Sequence, residues 1–196
     1  SAGSGASITP TLTAGSHVIE LTASLATGCS TVVTKTVQYY DINIGITAPI
    51  PPTVCQGAAT NLTANSTNAT GYTWYKIGTS GVLGVSPTVS TGSLSDSTNF
   101  KVIATNGTCK DSASIGIGVI KNTFTASKDT TICPGQSVNL TVPAQFNTAN
   151  WFNVATGSAV GSGVSFTVTP VSTTAYRVVA TTTSPVCSAS DTVTVT

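Results

Sequence analysis

The 196-residue chain has no methionine, one histidine and six acidic residues, and only 7% of its residues are charged. Each scarcity excludes something. Seven Lys and Arg against those acids give a net charge of +1. That leaves no basic face to neutralise nucleic-acid phosphates and no polybasic segment for anionic lipid. General acid–base catalysis needs titratable groups within hydrogen-bond reach of the reacting atoms. His17 and the sole glutamate, Glu20, share one predicted strand. No two of the aspartates (Asp41, Asp96, Asp111, Asp129, Asp191) lie within ten residues of each other. Neither CxxC nor Cys/His spacing of a zinc site occurs, and calcium would need clustered carboxylates. The expectation is a non-enzyme with no catalytic, cofactor-binding or metal site. No apolar run reaches the ~18–20 residues of a membrane helix, so direct membrane insertion is not expected. The first ten residues lack the charged and apolar regions of a signal peptide, which points to a processed or internal piece.

What is abundant is Thr, Ser, Val and Gly, and most of it repeats. Cysteines stand at 29, 55, 109, 133 and 187. Two separations coincide, 133 − 55 = 78 and 187 − 109 = 78. Thr53-Val54-Cys55-Gln56-Gly57 and Asn61-Leu62-Thr63 match Thr131-Ile132-Cys133-Pro134-Gly135 and Asn139-Leu140-Thr141. The only two tryptophans, Trp74 and Trp151, follow their cysteines by 19 and 18 residues, 74 − 55 and 151 − 133. Phe100-Lys101-Val102-Ile103-Ala104-Thr105 matches Tyr176-Arg177-Val178-Val179-Ala180-Thr181. Self-similarity at a fixed period marks a repeat architecture, and two repeats are placed at 46–120 and 121–196. Residues 1–45 match only the back half of a repeat, because no Cys-x-Gly strand and no Trp precede Cys29. A half sandwich leaves a face and strand edges uncovered. The complement must lie upstream or come from another molecule.

Alternation at period 2 predicts strands throughout, as in Val138-Asn139-Leu140-Thr141-Val142 and Tyr176-Arg177-Val178-Val179-Ala180. Pro134-Gly135 and Asn106-Gly107 punctuate them as turns. No segment sustains a helical period, so the fold class is all-β, a series of sandwiches. Trp74 and Trp151 are expected in the cores; an exposed sugar-stacking platform is the alternative. Within each repeat the cysteines are equally spaced, 109 − 55 = 54 and 187 − 133 = 54. Bridges Cys55–Cys109 and Cys133–Cys187 are therefore expected, each worth about 4 kcal/mol in the chain-entropy account. The competing pairing joins Cys29 to Cys55 and Cys109 to Cys133. Under the first scheme Cys29 is unpaired or has its partner upstream. The Pro49-Ile50-Pro51-Pro52 run reads as part of a stiff linker.

The block Thr131–Thr141, the Trp151 strand, Thr173–Val178 and the closing Cys187…Asp191-Thr192-Val193-Thr194-Val195 resemble the Ig-like repeats of Bacteroidota surface proteins. Ala14–Leu21 resembles their PKD-type relative, with His17 where an aromatic usually stands. The resemblance implies tandem immunoglobulin-like/PKD-like β-sandwiches from a large type IX-secreted, extracellular or cell-surface protein, gliding-adhesin-like or a surface hydrolase. It implies a structural or adhesive role, and carbohydrate binding or accessory repeats of a hydrolase as the alternative. Neighbouring repeats of the same chain are the expected partners, with surface polysaccharide or lateral fibre contacts beyond them. In a plain immunoglobulin topology, however, the turn before the second strand and the last hairpin lie at opposite ends, which strains the pairing within repeats. Asp96-Ser97-Thr98, Asp111-Ser112-Ala113, Asp129-Thr130-Thr131 and Asp191-Thr192-Val193 resemble the Asp-Ser/Thr-apolar acceptor of Bacteroidota O-glycosylation. Ser97, Ser112, Thr130 and Thr192 are thus expected to carry sugars, supplying hydration that charge does not.

Overall fold

The computed structural model describes residue 5 and residues 7–196, and among these every regular element is a strand. Ten-residue strands β1 (Gly15–Ser24) and β2 (Ser30–Tyr39) form an antiparallel hairpin on their own. Then follow β3 (Gly45–Thr47), β4 (Thr53–Cys55), β5 (Asn61–Asn65), β6 (Gly71–Lys76), β7 (Val82–Gly84), β8 (Thr88–Ser90), β9 (Thr98–Asn106) and β10 (Cys109–Ile120). They make two sheets, ordered β3-β5-β8 and β4-β10-β9-β6-β7. The remaining strands are β11 (Val138–Thr141), β12 (Thr148–Asn153), β13 (Ala159–Ser162), β14 (Ser165–Val168), β15 (Thr174–Thr181) and β16 (Ser188–Val195). Their sheets, β11-β14 and β13-β12-β15-β16, repeat the first pair. Each pair of sheets encloses its own apolar core.

The alternation seen in the sequence decides which side chains go inside. Leu62, Trp74, Phe100, Val102, Ala104 and Ile117 are buried in the first core. Leu140, Trp151, Tyr176, Val178, Ala180 and Val195 take the equivalent places in the second. Both tryptophans are 0% exposed. An aromatic of this size buries roughly 200 Å², worth about 5 kcal/mol of transfer free energy. Each indole N–H still finds a partner: Trp74 Nε1 donates to the Ser86 carbonyl (3.1 Å), and Trp151 Nε1 to that of Gly163 (3.0 Å). Opposite each tryptophan stands a glycine, Gly84 or Gly161. A Cβ at Gly161 would come within 2.2 Å of the Phe166 ring, so only glycine lets the β13 backbone close over the core.

The entry to each sandwich is shared between its two sheets. β3 pairs with β5, and after Pro49–Pro52 the chain crosses to run parallel to β10 as β4, with Thr53 opposite Gly118 and Cys55 opposite Ile120. Pro52 cannot donate to a ladder, but its carbonyl accepts from the Gly118 N–H at 2.8 Å. The proline run expected as a linker is thus a crossover inside the first sandwich, whose core reaches back to Ile42 and Ile44. In the second sandwich the same crossover is abbreviated to a parallel bridge between Thr130 and Val195.

An aspartate fastens each entry. Asp111 Oδ2 accepts from the Ile44 N–H (3.2 Å) on the first sandwich, and Asp191 Oδ2 from the Ala126 N–H (2.7 Å) on the second. Asp129 Oδ1 accepts from the Thr194 N–H at 2.8 Å. Charge-assisted bonds of this kind are worth about 1.5–3 kcal/mol. Three aspartates of the Asp-Ser/Thr pattern therefore hold the lead-in segments of the sandwiches against their last strands.

Candidate functional site

The place where chemistry joins distant residues is the junction of the two sandwiches. Cys55 is disulfide-bonded to Cys187, with Cα atoms 5.5 Å apart and a sequence separation of 132. Cys29, Cys109 and Cys133 have no partner within the chain. The expected bridges Cys55–Cys109 and Cys133–Cys187 are therefore corrected. The reason is the parallel pairing of β4 with the end of β10. Cys55 lies opposite Ile120, whereas Cys109 starts β10, 120 − 109 = 11 residues away, or ~36 Å at the rise of a strand. Likewise the Ile132 N–H donates to the Thr196 carbonyl (2.8 Å), setting Cys133 beside the end of the chain. Cys187 precedes the start of β16, 196 − 187 = 9 residues or ~30 Å away. Within one sandwich the two cysteines sit at opposite poles, and no disulfide spans more than ~7 Å between Cα atoms.

Between consecutive sandwiches the poles meet. Cys55 occupies the first position of a turn closed by the Ala58 N–H on the Cys55 carbonyl (3.0 Å). Gly57, at φ +84°, supplies the left-handed residue the turn requires. Next to it the Gln56 N–H donates to the Ile120 carbonyl (2.9 Å), and Gln56 Oε1 accepts from the Asn122 N–H (3.3 Å), tying the turn to the connecting segment. From the other side comes the β15–β16 hairpin, whose Val186 carbonyl oxygen lies 3.4 Å from Cys55 Sγ. Inside that hairpin Thr182 accepts the Cys187 N–H through its hydroxyl (3.0 Å) and donates its own N–H to the Cys187 carbonyl (3.0 Å), so the cysteine is presented on a braced loop.

The other residues singled out by sequence are scattered. Ser97, Ser112 and Thr192 are exposed, and Thr130 is half-buried in the bridge to β16. His17 sits on the β1–β2 hairpin with its Nε2 2.7 Å from the Thr13 carbonyl oxygen. No group of three or more His, Cys, Asp or Glu side chains converges among the described residues. No helix among them is long and apolar enough to cross a membrane. The junction bridge itself was missed by sequence reasoning. Its signal was present in the arithmetic, 187 − 55 = 132 = 54 + 78, one spacing within a repeat plus one period.

Two packed sheets with a first strand split between them, repeated along one chain, define tandem immunoglobulin-like β-sandwich domains. Residues 46–120 and 121–196 each match the family described as Ig-like domain CHU_C associated. The chain belongs to that family, one associated with type IX-secreted proteins of Bacteroidota. No curated protein matches. Among solved structures, the three N-terminal domains of the bacteriophage RB49 Highly Immunogenic Outer Capsid protein (Hoc) align at 12% identity and a TM-score of 0.44. That alignment covers 79% of this chain and 58% of that one, so the chain spans little more than half the length of the Hoc fragment. The I-band fragment I67-I69 from titin aligns at 16% identity and a TM-score of 0.38, covering 92% of this chain and 74% of that one.

Proposed function

We propose that the chain is a non-catalytic stalk segment of a secreted surface protein, a spacer whose consecutive sandwiches are locked to each other under load. The observation behind this reading is the Cys55–Cys187 bond across the junction. A ligand-binding or catalytic module has no use for a covalent tie between the far turn of one domain and the near hairpin of the next. A spacer under tension does. Pulled by its ends, the chain transmits force through residues 1–55, across the bridge and out through 187–196. The intervening 186 − 56 + 1 = 131 residues stay slack inside a covalent loop. The burial of both tryptophans removes the aromatic platform that the sugar-binding alternative needs.

Two further parts belong to this reading. The bare face of the β1–β2 hairpin is covered in the parent assembly by the missing strands of its own sandwich. Ser97, Ser112 and Thr192 are exposed positions for O-linked sugars, with Thr130 a poorer one because half of it is buried. Intact mass with peptide mapping reports such sugars directly.

Single-molecule pulling tests the stalk reading. Reduced protein should show two unfolding steps, each of ~75 residues and ~25 nm at ~3.5 Å per residue. From the two sandwiches, oxidised protein can pay out only (55 − 42) + (196 − 187) = 22 residues, ~8 nm in all. Two full steps in oxidised protein would sink the proposal.

A further inference from the structure

Three cysteines have no partner in the chain, and all three repeat the environments of the bonded pair. Cys133 opens a turn of the same construction as that of Cys55. The Gln136 N–H closes it on the Cys133 carbonyl (2.9 Å), and Gly135 takes φ +80°. Cys109 begins β10 just as Cys187 and Cys29 immediately precede β16 and β2, so all three occupy the same place on a two-strand hairpin. Turn cysteine and hairpin cysteine bond in the one junction where the chain has both.

From this equivalence, and resting on the stalk reading above, we infer that the bridge is one rung of a ladder. Each turn cysteine bonds the hairpin cysteine of the repeat that follows it. Cys133 takes the hairpin cysteine of a following copy of this unit, and Cys109 the turn cysteine of the preceding one. Cys29 is the hairpin end of an earlier rung.

The open pole of the second sandwich fits such an occupant. A pocket of about 210 Å³ lies there, walled by Ile132, Pro134, Pro170 and Val171 and adjoining the Cys133 turn. Val171 is exposed in it, and Cys133 is exposed beside it. At the corresponding pole of the first sandwich, the hairpin end is bonded through Cys187 to Cys55, with the Val186 carbonyl oxygen 3.4 Å from Cys55 Sγ. The pole thus offers an exposed thiol beside an apolar wall to a hairpin end carrying a cysteine, as Pro185-Val186-Cys187 does at the formed junction.

Formation of each rung is a two-electron oxidation. The thiolate of Cys133 attacks the disulfide of an extracytoplasmic thiol–disulfide oxidoreductase, giving a mixed disulfide and releasing one donor thiolate. The hairpin thiolate of the following repeat then displaces the second donor sulfur. Two thiols lose two protons and two electrons, and the donor leaves as a dithiol.

The ladder has a mechanical consequence in the geometry already described. Load entering at Cys109 leaves at Cys133, along 133 − 109 = 24 residues. Their full contour is only ~79–86 Å. Twelve of them are already drawn out as β10, and the lead-in to Cys133 runs on along β16 to the far pole. Rung to rung, the path can lengthen to no more than that contour, whatever else in the sandwiches unfolds.

Alkylating the full-length surface protein before denaturation, then mapping its peptides without reduction, tests this. Expected are a Cys55–Cys187 peptide pair, and Cys109 and Cys133 each linked to a cysteine outside its own repeat. Alkylated Cys109 or Cys133, or bridges Cys55–Cys109 and Cys133–Cys187, would overturn the ladder. Mixing isotope-labelled with unlabelled protein before oxidation separates rungs within one chain from rungs to a second copy. A Cys133→Ser variant should leave Cys55–Cys187 intact and expose one new alkylatable cysteine, in the following repeat; exposure of none overturns the inference. Because bridges are read by mass and the stalk by force, a missing ladder leaves the single-junction pulling result standing.

Discussion

The β1–β2 and β9–β10 hairpins are written in nearly the same pattern and end in opposite circumstances. His17, Ile19 and Leu21 alternate along β1 as Phe100, Val102 and Ala104 do along β9, and both hairpins pair in continuous antiparallel register. Yet Val102 is 0% exposed, whereas Leu21 and its cross-strand partner Val33 are 60% and 61% exposed. The difference teaches what a hairpin owes to itself and what it owes to its neighbours. Alternation and cross-strand pairs, about 0.2–1 kcal/mol each, set strand and register in both. Only β9–β10 has an opposing sheet to convert its apolar face into buried area, at roughly 25 cal/mol per Å². An isolated two-stranded hairpin is marginal in water. The β1–β2 face is therefore an unfinished surface.

Substitutions can break that comparison or sharpen it. Phe100→Ala, in the covered hairpin, should cost about 3–5 kcal/mol in urea unfolding of the first sandwich. Leu21→Ala at the exposed counterpart should shift stability by no more than about 0.5 kcal/mol; a loss comparable to Phe100→Ala would show the β1–β2 face to be covered. Asp111→Ala should cost about 1.5–3 kcal/mol by releasing the Ile44 N–H, and Asp191→Ala a similar amount in the second sandwich by releasing that of Ala126. If either change is silent, the aspartates are not fasteners, and their conservation of place between the two repeats has some other cause. The smallest effect belongs to the double change Leu21→Thr, Val33→Thr. It should leave unfolding within about 0.5 kcal/mol while lowering self-association measured by sedimentation.

Much of the architecture was legible in residues alone. The 78-residue period delivered two sandwiches, the alternation delivered their inward faces, and the lone tryptophan of each repeat marked the centre of its core. Residues 1–45 read in sequence as the back half of a repeat; what stands there is the two-strand sheet β1–β2, with Ile42 and Ile44 already in the core of the first sandwich. Disulfide pairing was not legible, for a definite reason. In a periodic chain, a separation of 54 within a repeat and one of 54 + 78 across a junction are equally regular. The choice between them depends on whether the first strand enters antiparallel or crosses to run parallel to the last. That is decided by Pro49–Pro52 and by the register of Cys55 opposite Ile120, a pairing between residues 65 apart, 120 − 55. Nor was the fastening role of Asp111 and Asp191 legible, because sequence says nothing of a backbone amide arriving from 65 or 67 residues away.

The closed loop between Cys55 and Cys187 also alters what a protease can accomplish. Proteases cut at exposed tips such as Ile77–Gly81 or Val154–Gly157, both within the loop. One cut there opens the ring yet severs nothing: the fragments on either side are still joined through sulfur. The two sides of such a cut part only after the Cys55–Cys187 bridge is reduced as well.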